Sequence, residues 1–297
     1  MRIVEKYRPE LVSGSHEKIS QVEAMGNKKF ILNADDFGMS NGFNKAVLDG
    51  YNSGFLTSAS LCANGEAFGP AVNEIIPECN NLGIGVHLNI IEGKSLLNGE
   101  KFNDGYLKLI YLANNPSFLE QTEKEFRLQI EKVLKYTKVD HLDSHVHVHA
   151  IPNFFELTCK LAKEYDIKQV RTQFEKFYLV PDIVKHLNIK YPPNILKVIL
   201  LNTFTLKNRE TIKQYGLQTN DYIIGVGYTG MMNDNTIYHG LCAINEDAVV
   251  EALIHPCNFD NLKKKDQRQT EFMITQNMDL KDKIQRLGCE ITNYSER

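Results

Sequence analysis

Four runs of strand character in this chain each end in ionisable residues, and that repetition constrains the fold more than any other feature. They are Phe30-Ile31-Leu32-Asn33-Ala34-Asp35-Asp36, Gly83-Ile84-Gly85-Val86-His87, the tract from His141 to Ala150, and Val250-Glu251-Ala252-Leu253-Ile254-His255. Helical patterns lie between them, as in 120–136, where Phe126, Ile130, Val133 and Leu134 recur at helical spacing. Strands alternating with helices imply parallel βα units. In a parallel βα barrel the loops that follow the strands build one common face. Asp35 and His255, 220 positions apart, would then meet in a single site.

Further strands are predicted at 56–63, 168–171, 222–227 and 290–293, and helices at 41–54, 66–77, 153–165, 195–204, 231–241 and 264–287. Residues 1–25 read as a loose N-terminal extension and 26–297 as one barrel domain. Within it, 174–222 is expected to be a variable insertion of helices and loops facing the substrate.

Composition excludes several classes. A net charge of −3 without a long basic run gives nucleic acid or an anionic membrane nothing to hold. No apolar run approaches the ~18–20 residues that span a bilayer, and the N-terminus shows no apolar core of a secretory signal. The six cysteines, at 62, 79, 159, 242, 257 and 289, form no CxxC pair. They read as free thiols of a reducing compartment, so a cytoplasmic location is expected.

The tract His141-Leu142-Asp143-Ser144-His145-Val146-His147-Val148-His149-Ala150 holds four of the nine histidines. Read as a strand, it places His141, Asp143, His145, His147 and His149 on one face and Leu142, Ser144, Val146, Val148 and Ala150 on the other. Buried imidazoles need partners, which a metal site supplies. One Asp and two His with open positions suit a catalytic divalent ion, and a second carboxylate beside them could take a proton from water. Spacing alone allows His145, His147 or His149 as the ligand from this tract.

Asn33-Ala34-Asp35-Asp36-Phe37-Gly38, Leu56-Thr57-Ser58, Gly85-Val86-His87-Leu88, His141-Leu142-Asp143-Ser144-His145 and His255-Pro256 occur in this order. Together they resemble the YdjC/ChbG-like carbohydrate deacetylases over about residues 29–290. The resemblance implies an irregular (β/α) barrel of the NodB-like deacetylase type. It implies hydrolysis of N-acetyl groups from small sugars such as chitooligosaccharides, with one divalent ion, Mg2+ or Zn2+. Asp36, His87 and His145 match the metal ligands. Asp35 matches the base that activates the attacking water, and His255 the acid that protonates the departing amine. Asp143 would orient a neighbouring histidine. Arg171, Thr229 and Gly230 fall where the family lines its cleft, and His147 at the strand end could meet substrate. Where the family often has glycine after the His-Pro pair, this chain has Cys257.

The partner implied is a small acetylated sugar, and homodimers are common among such barrels. Two other readings stay open on the residues alone. One is a different metal hydrolase, an amidohydrolase or phosphoesterase. The other is a non-catalytic sugar- or metal-binding protein.

Overall fold

The structure, a computed structural model, describes residues 27–259 and 266–296. The expected loose extension at 1–25 lies outside the described residues. One parallel sheet of eight strands runs through the molecule: β1 (Lys28–Phe37), β2 (Ser58–Leu61), β3 (Gly83–Leu88), β4 (His141–Ser144), β5 (Gln169–Val170), β6 (Tyr222–Ile224), β7 (Ala248–Ile254) and β8 (Cys289–Ile291). The spatial order is β5-β4-β3-β2-β1-β7-β6, and β8 pairs with the first half of β1. Every strand predicted from the sequence is present.

β1 is central and buried on both faces, with strands on either side of it. It registers Asn33 with Ser58 of β2 and with Leu253 of β7. The ring closes irregularly. Among the described residues the edge strand β5 pairs with no strand beyond β4; a parallel bridge joins Gln169 to Gln218, Val170 N–H donates to Gln218 O at 3.0 Å and Ile223 N–H to Phe174 O at 2.9 Å. The result is the irregular (β/α) barrel expected.

The helices are α1 (Asn41–Asn52), α2 (Tyr106–Leu112), α3 (Pro116–Leu134), α4 (Pro152–Glu164), α5 (Ile183–His186), α6 (Tyr191–Tyr215), α7 (Asp234–Cys242), α8 (Gln267–Thr275) and α9 (Met278–Arg286). Residues 68–78 form a kinked run of helical turns. α3 starts on Asn115, whose side chain accepts from Ser117 N–H at 2.9 Å, with Pro116 in the first turn. Phe126, Ile130 and Val133 of α3 pack on the sheet with Phe154, Phe155 and Leu161 of α4.

Two expectations are corrected. The single helix at 264–287 is two, because Asn277 breaks it and caps α9 by accepting from Leu280 N–H at 3.0 Å. The tract 141–150 is a strand only as far as Ser144. Val146 and His147 then take left-handed backbone, with φ of 52° and 60°, inside a short helical turn that leads to α4. Alternation of faces needs extended backbone, so it ends there. No helix among the described residues is long and apolar enough to cross a membrane.

Candidate metal centre

The C-terminal ends of β1, β3, β4 and β7, with the residues just after β2 and β5, converge on one buried cluster. Adjacent residues on a strand normally face opposite ways, yet Asp35 and Asp36 both turn into it. The register explains this. Between Ala34 and Phe37 the pairing with β2 slips, so β1 carries an extra residue. Asp36 absorbs it with φ at 66°, a left-handed conformation that Asp tolerates better than most side chains.

Asp36 faces imidazoles. His145 Nδ1 lies 2.8 Å and His87 Nε2 3.5 Å from its Oδ1. Burial alone would raise this carboxyl, but the bonds to His145 and His87 and the charge of His255 hold it well below the usual range. His145 Nε2 also meets Glu92 at 3.0 Å. His87 is oriented from behind: its Nδ1 lies 2.8 Å from Asp143 Oδ1. That leaves Nε2 directed toward Asp36, the arrangement in which a carboxylate orients a ligating histidine. Burial lowers the His87 pKa, yet Asp143, Asp35 and Asp36 outweigh it and push it up to about 10.

Asp35 faces a guanidinium. Arg171, fully buried just after β5, donates from Nη1 to Asp35 Oδ2 at 2.9 Å and from Nη2 to Oδ1 at 2.7 Å. The same side chain reaches Asp143 Oδ2 at 2.7 Å and, through Nε, Glu251 Oε2 at 3.0 Å. Tyr294, beyond β8, donates its hydroxyl to that same Glu251 oxygen. Asn33 donates to Asp35 at 2.8 Å and to Ser60 Oγ at 2.9 Å, and Ser60 in turn donates to Asp143 at 2.7 Å. Burial would raise Asp143, but Arg171 and His87 hold it well below the carboxylate range.

His255 stands after β7, its Nδ1 3.5 Å from Glu271 and its N–H donating to that carboxylate at 2.6 Å. Burial lowers its pKa, but the bond to Glu271 and the fields of Asp36 and Asp35 raise it overall.

The four histidines of the tract therefore part company. His141 lies under the site, stacked on Tyr294 at 4.2 Å between ring centroids and set between Asp140 and Ser60. His145 reaches Asp36. His147 is buried, with Nδ1 unpartnered among the described residues. His149 turns back to Ser144, the Arg171 carbonyl at 3.0 Å and Gln173 at 2.9 Å, and burial pushes it down to about 4.

Thr229 and Gly230 serve a turn. The Thr229 hydroxyl donates to Gly225 O at 2.9 Å and Val226 O at 2.8 Å, and Gly230 takes φ of 71°. That turn is gripped by Glu175, which accepts from Gly225 N–H at 2.9 Å and Gly227 N–H at 2.7 Å. Lys197 of α6 approaches the same region. Burial pushes it down to about 8, against the pull of Glu175 and Asp35.

Sequence reasoning missed Glu251, Ser60, Tyr294 and Cys62. Glu251 carried a signal, an acid in the middle of an apolar strand. The others had none, because serine, tyrosine and a lone cysteine are ordinary in a core.

The cluster suits a divalent ion. Asp36, Cys62 and His87 offer ligand atoms all within 4.8 Å of one another, as do Asp35, His87 and Asp143. Carboxylate, imidazole and thiolate are the donors such ions take.

The chain is similar to known proteins. The sequence profile of the YdjC-like protein family matches residues 29–286. A carbohydrate deacetylase of Clostridium beijerinckii is 38% identical over 144 residues, 47% of this chain and 58% of that protein. A chitooligosaccharide deacetylase of Salmonella schwarzengrund is 34% identical over 143 residues, 46% of this chain and 56% of that protein. The alignments thus span somewhat more than half the length of these curated relatives. A crystal structure from Enterococcus faecalis V583, described as that of a candidate cellobiose-phosphate cleavage protein, superposes with a TM-score of 0.68. It covers 91% of this chain and 98% of its own, and at 21% identity the likeness concerns the fold. With the profile matched across nearly all of the described residues, the chain belongs to the YdjC-like protein family.

Proposed function

We propose that this chain is a metal-dependent deacetylase that hydrolyses N-acetyl groups of small acetylated sugars, chitooligosaccharides among them. The observation that carries the reading is the division of labour between neighbouring carboxylates. Asp36 faces imidazoles, as a metal ligand does, while Asp35 is held by Arg171 with no imidazole bonded to it among the described residues. A pure binding site needs the first and has no use for the second.

Asp36, His87 and His145 would hold the ion, which supplies polarisation of the acetyl carbonyl and acidification of water. Asp35 takes the proton of the attacking water as its oxygen bonds to the carbonyl carbon. Arg171 fixes the direction of that carboxylate through its two bonds. His255, held protonated by Glu271, gives a proton to the sugar nitrogen as the carbon–nitrogen bond breaks. The products are acetate and the free amine. Asp143 keeps the His87 tautomer in place throughout.

The test is release of acetate from N-acetylated di- and trisaccharides, with and without a chelator. Release that stops on chelation and returns with added divalent ion is expected. Cleavage of a phosphoester, with no acetate from any acetylated sugar, would overturn the reading in favour of another metal hydrolase.

A further inference from the structure

Six cysteines are free among the described residues, and they do not share one environment. Cys79, Cys159 and Cys289 pack within the main hydrophobic core. Cys62 is fully buried yet stands outside that core. It follows β2 directly, and its N–H donates to the Phe37 carbonyl at 2.8 Å, which ties it beside the end of β1. Its Sγ lies with the Asp36 carboxylate and a His87 ring nitrogen, all within 4.8 Å. A buried thiol usually acts as a small apolar side chain. Here its neighbours are a carboxylate and an imidazole on two other strands.

We propose that Cys62 is a direct metal ligand alongside Asp36 and His87, and that its thiolate makes the site select a thiophilic ion such as zinc over magnesium. This rests on the proposed metal-dependent function and adds to it a donor and a choice of metal. The geometry requires little. Zinc takes sulfur at ~2.3 Å and nitrogen or oxygen at ~2.0–2.2 Å, so side-chain shifts of about 1 Å close the three donors on one ion. On binding, the S–H bond breaks, the sulfur–metal bond forms and the proton leaves to solvent; nothing is oxidised or reduced. A soft donor in an otherwise hard set moves preference away from magnesium. His145, whose nitrogens meet Asp36 and Glu92, completes the set from the more open side.

The full chain, stripped with chelator, is titrated with Co2+ and followed by absorption. A sulfur-to-cobalt charge-transfer band is expected, lost in Cys62→Ser and kept in Cys257→Ser. Zinc affinity of Cys62→Ser should fall at least about tenfold, since losing even an outer partner of a ligand costs that much, while magnesium affinity stays unchanged. Should Cys62→Ser fail to fold, X-ray absorption on the wild-type zinc protein reads the same point through a sulfur shell at about 2.3 Å. Absence of the band and of the sulfur shell overturns the proposal. If acetate release then proceeds with magnesium, the deacetylase reading survives; if the band is present and no acetate is released, Cys62 stands and that reading falls.

Discussion

Arg171 meets Asp35 through two parallel bonds, Nη1 to Oδ2 at 2.9 Å and Nη2 to Oδ1 at 2.7 Å. The same guanidinium also serves Asp143 and Glu251, so three buried carboxylates share one buried guanidinium. A charge set of this kind stands or falls together. Removing one partner leaves the others unpaired in low dielectric.

Arg171→Met should therefore destabilise the protein by about 3–5 kcal/mol. Arg171→Lys should recover only part of that, since an ammonium lacks the planar fork that holds Asp35 on two oxygens. Urea denaturation of the three proteins measures both. A loss within about 1 kcal/mol for Arg171→Met, the size of an exposed ion pair, would show that the carboxylates find other compensation.

Asp35→Asn removes the proposed base and leaves Asp36, His87 and Cys62 in place. Turnover should drop by roughly 10²–10⁴-fold, the usual contribution of a positioned general base. Calorimetric metal affinity should stay at the wild-type value. Loss of the metal together with turnover would mean that the roles of the two aspartates are assigned wrongly.

Glu175 gives a pH dependence of stability. Burial, opposed by the N–H groups of Gly225 and Gly227, pushes its carboxyl from 4.5 up to about 7. A raised acid binds its proton more tightly folded than unfolded, so its stabilisation is present at low pH and is lost as pH rises from 4.5 to about 7. The full span is worth about 3 kcal/mol. Glu175→Gln cannot titrate, so wild-type stability relative to this variant should decline between about pH 5 and pH 8. Parallel stability curves for the two proteins would refute it.

Gly85→Ala tests the packing under the carboxylate–histidine cluster. A strand glycine normally gains roughly 0.5–1 kcal/mol on becoming alanine. Here a Cβ would overlap the His141 ring, its register partner on β4, which is pinned by stacking on Tyr294. The sign should reverse, with a loss of about 1–3 kcal/mol. Equilibrium unfolding decides it, and a stabilised variant would mean that the ring moves freely.

Much of this was legible in the residues. Apolar runs closed by Asp35-Asp36, His87 and His255 marked strands buried on both faces, and such strands announce themselves by composition. Alternation predicts strand to the end of 141–150, because counting alternate side chains says nothing about φ. A β-branched residue such as Val146 in left-handed backbone is unfavourable on its own, and only the surrounding fold imposes it. Asn277 is a good helix cap, so the break between α8 and α9 was within reach. The place of Arg171 beneath the carboxylates was not, because its three partners come from β1, β4 and β7 and no local pattern joins them.

The bulge that turns Asp36 inward also makes position 36 a record of the protein's history. A non-glycine residue in left-handed backbone gives up about 1–2 kcal/mol that glycine would not. Selection for heat resistance alone would thus let Asp36 drift toward glycine. Continued use of its carboxylate would keep an acid there. Among descendants of this chain, a glycine at 36 would mark a lineage that kept the barrel and gave up that carboxylate.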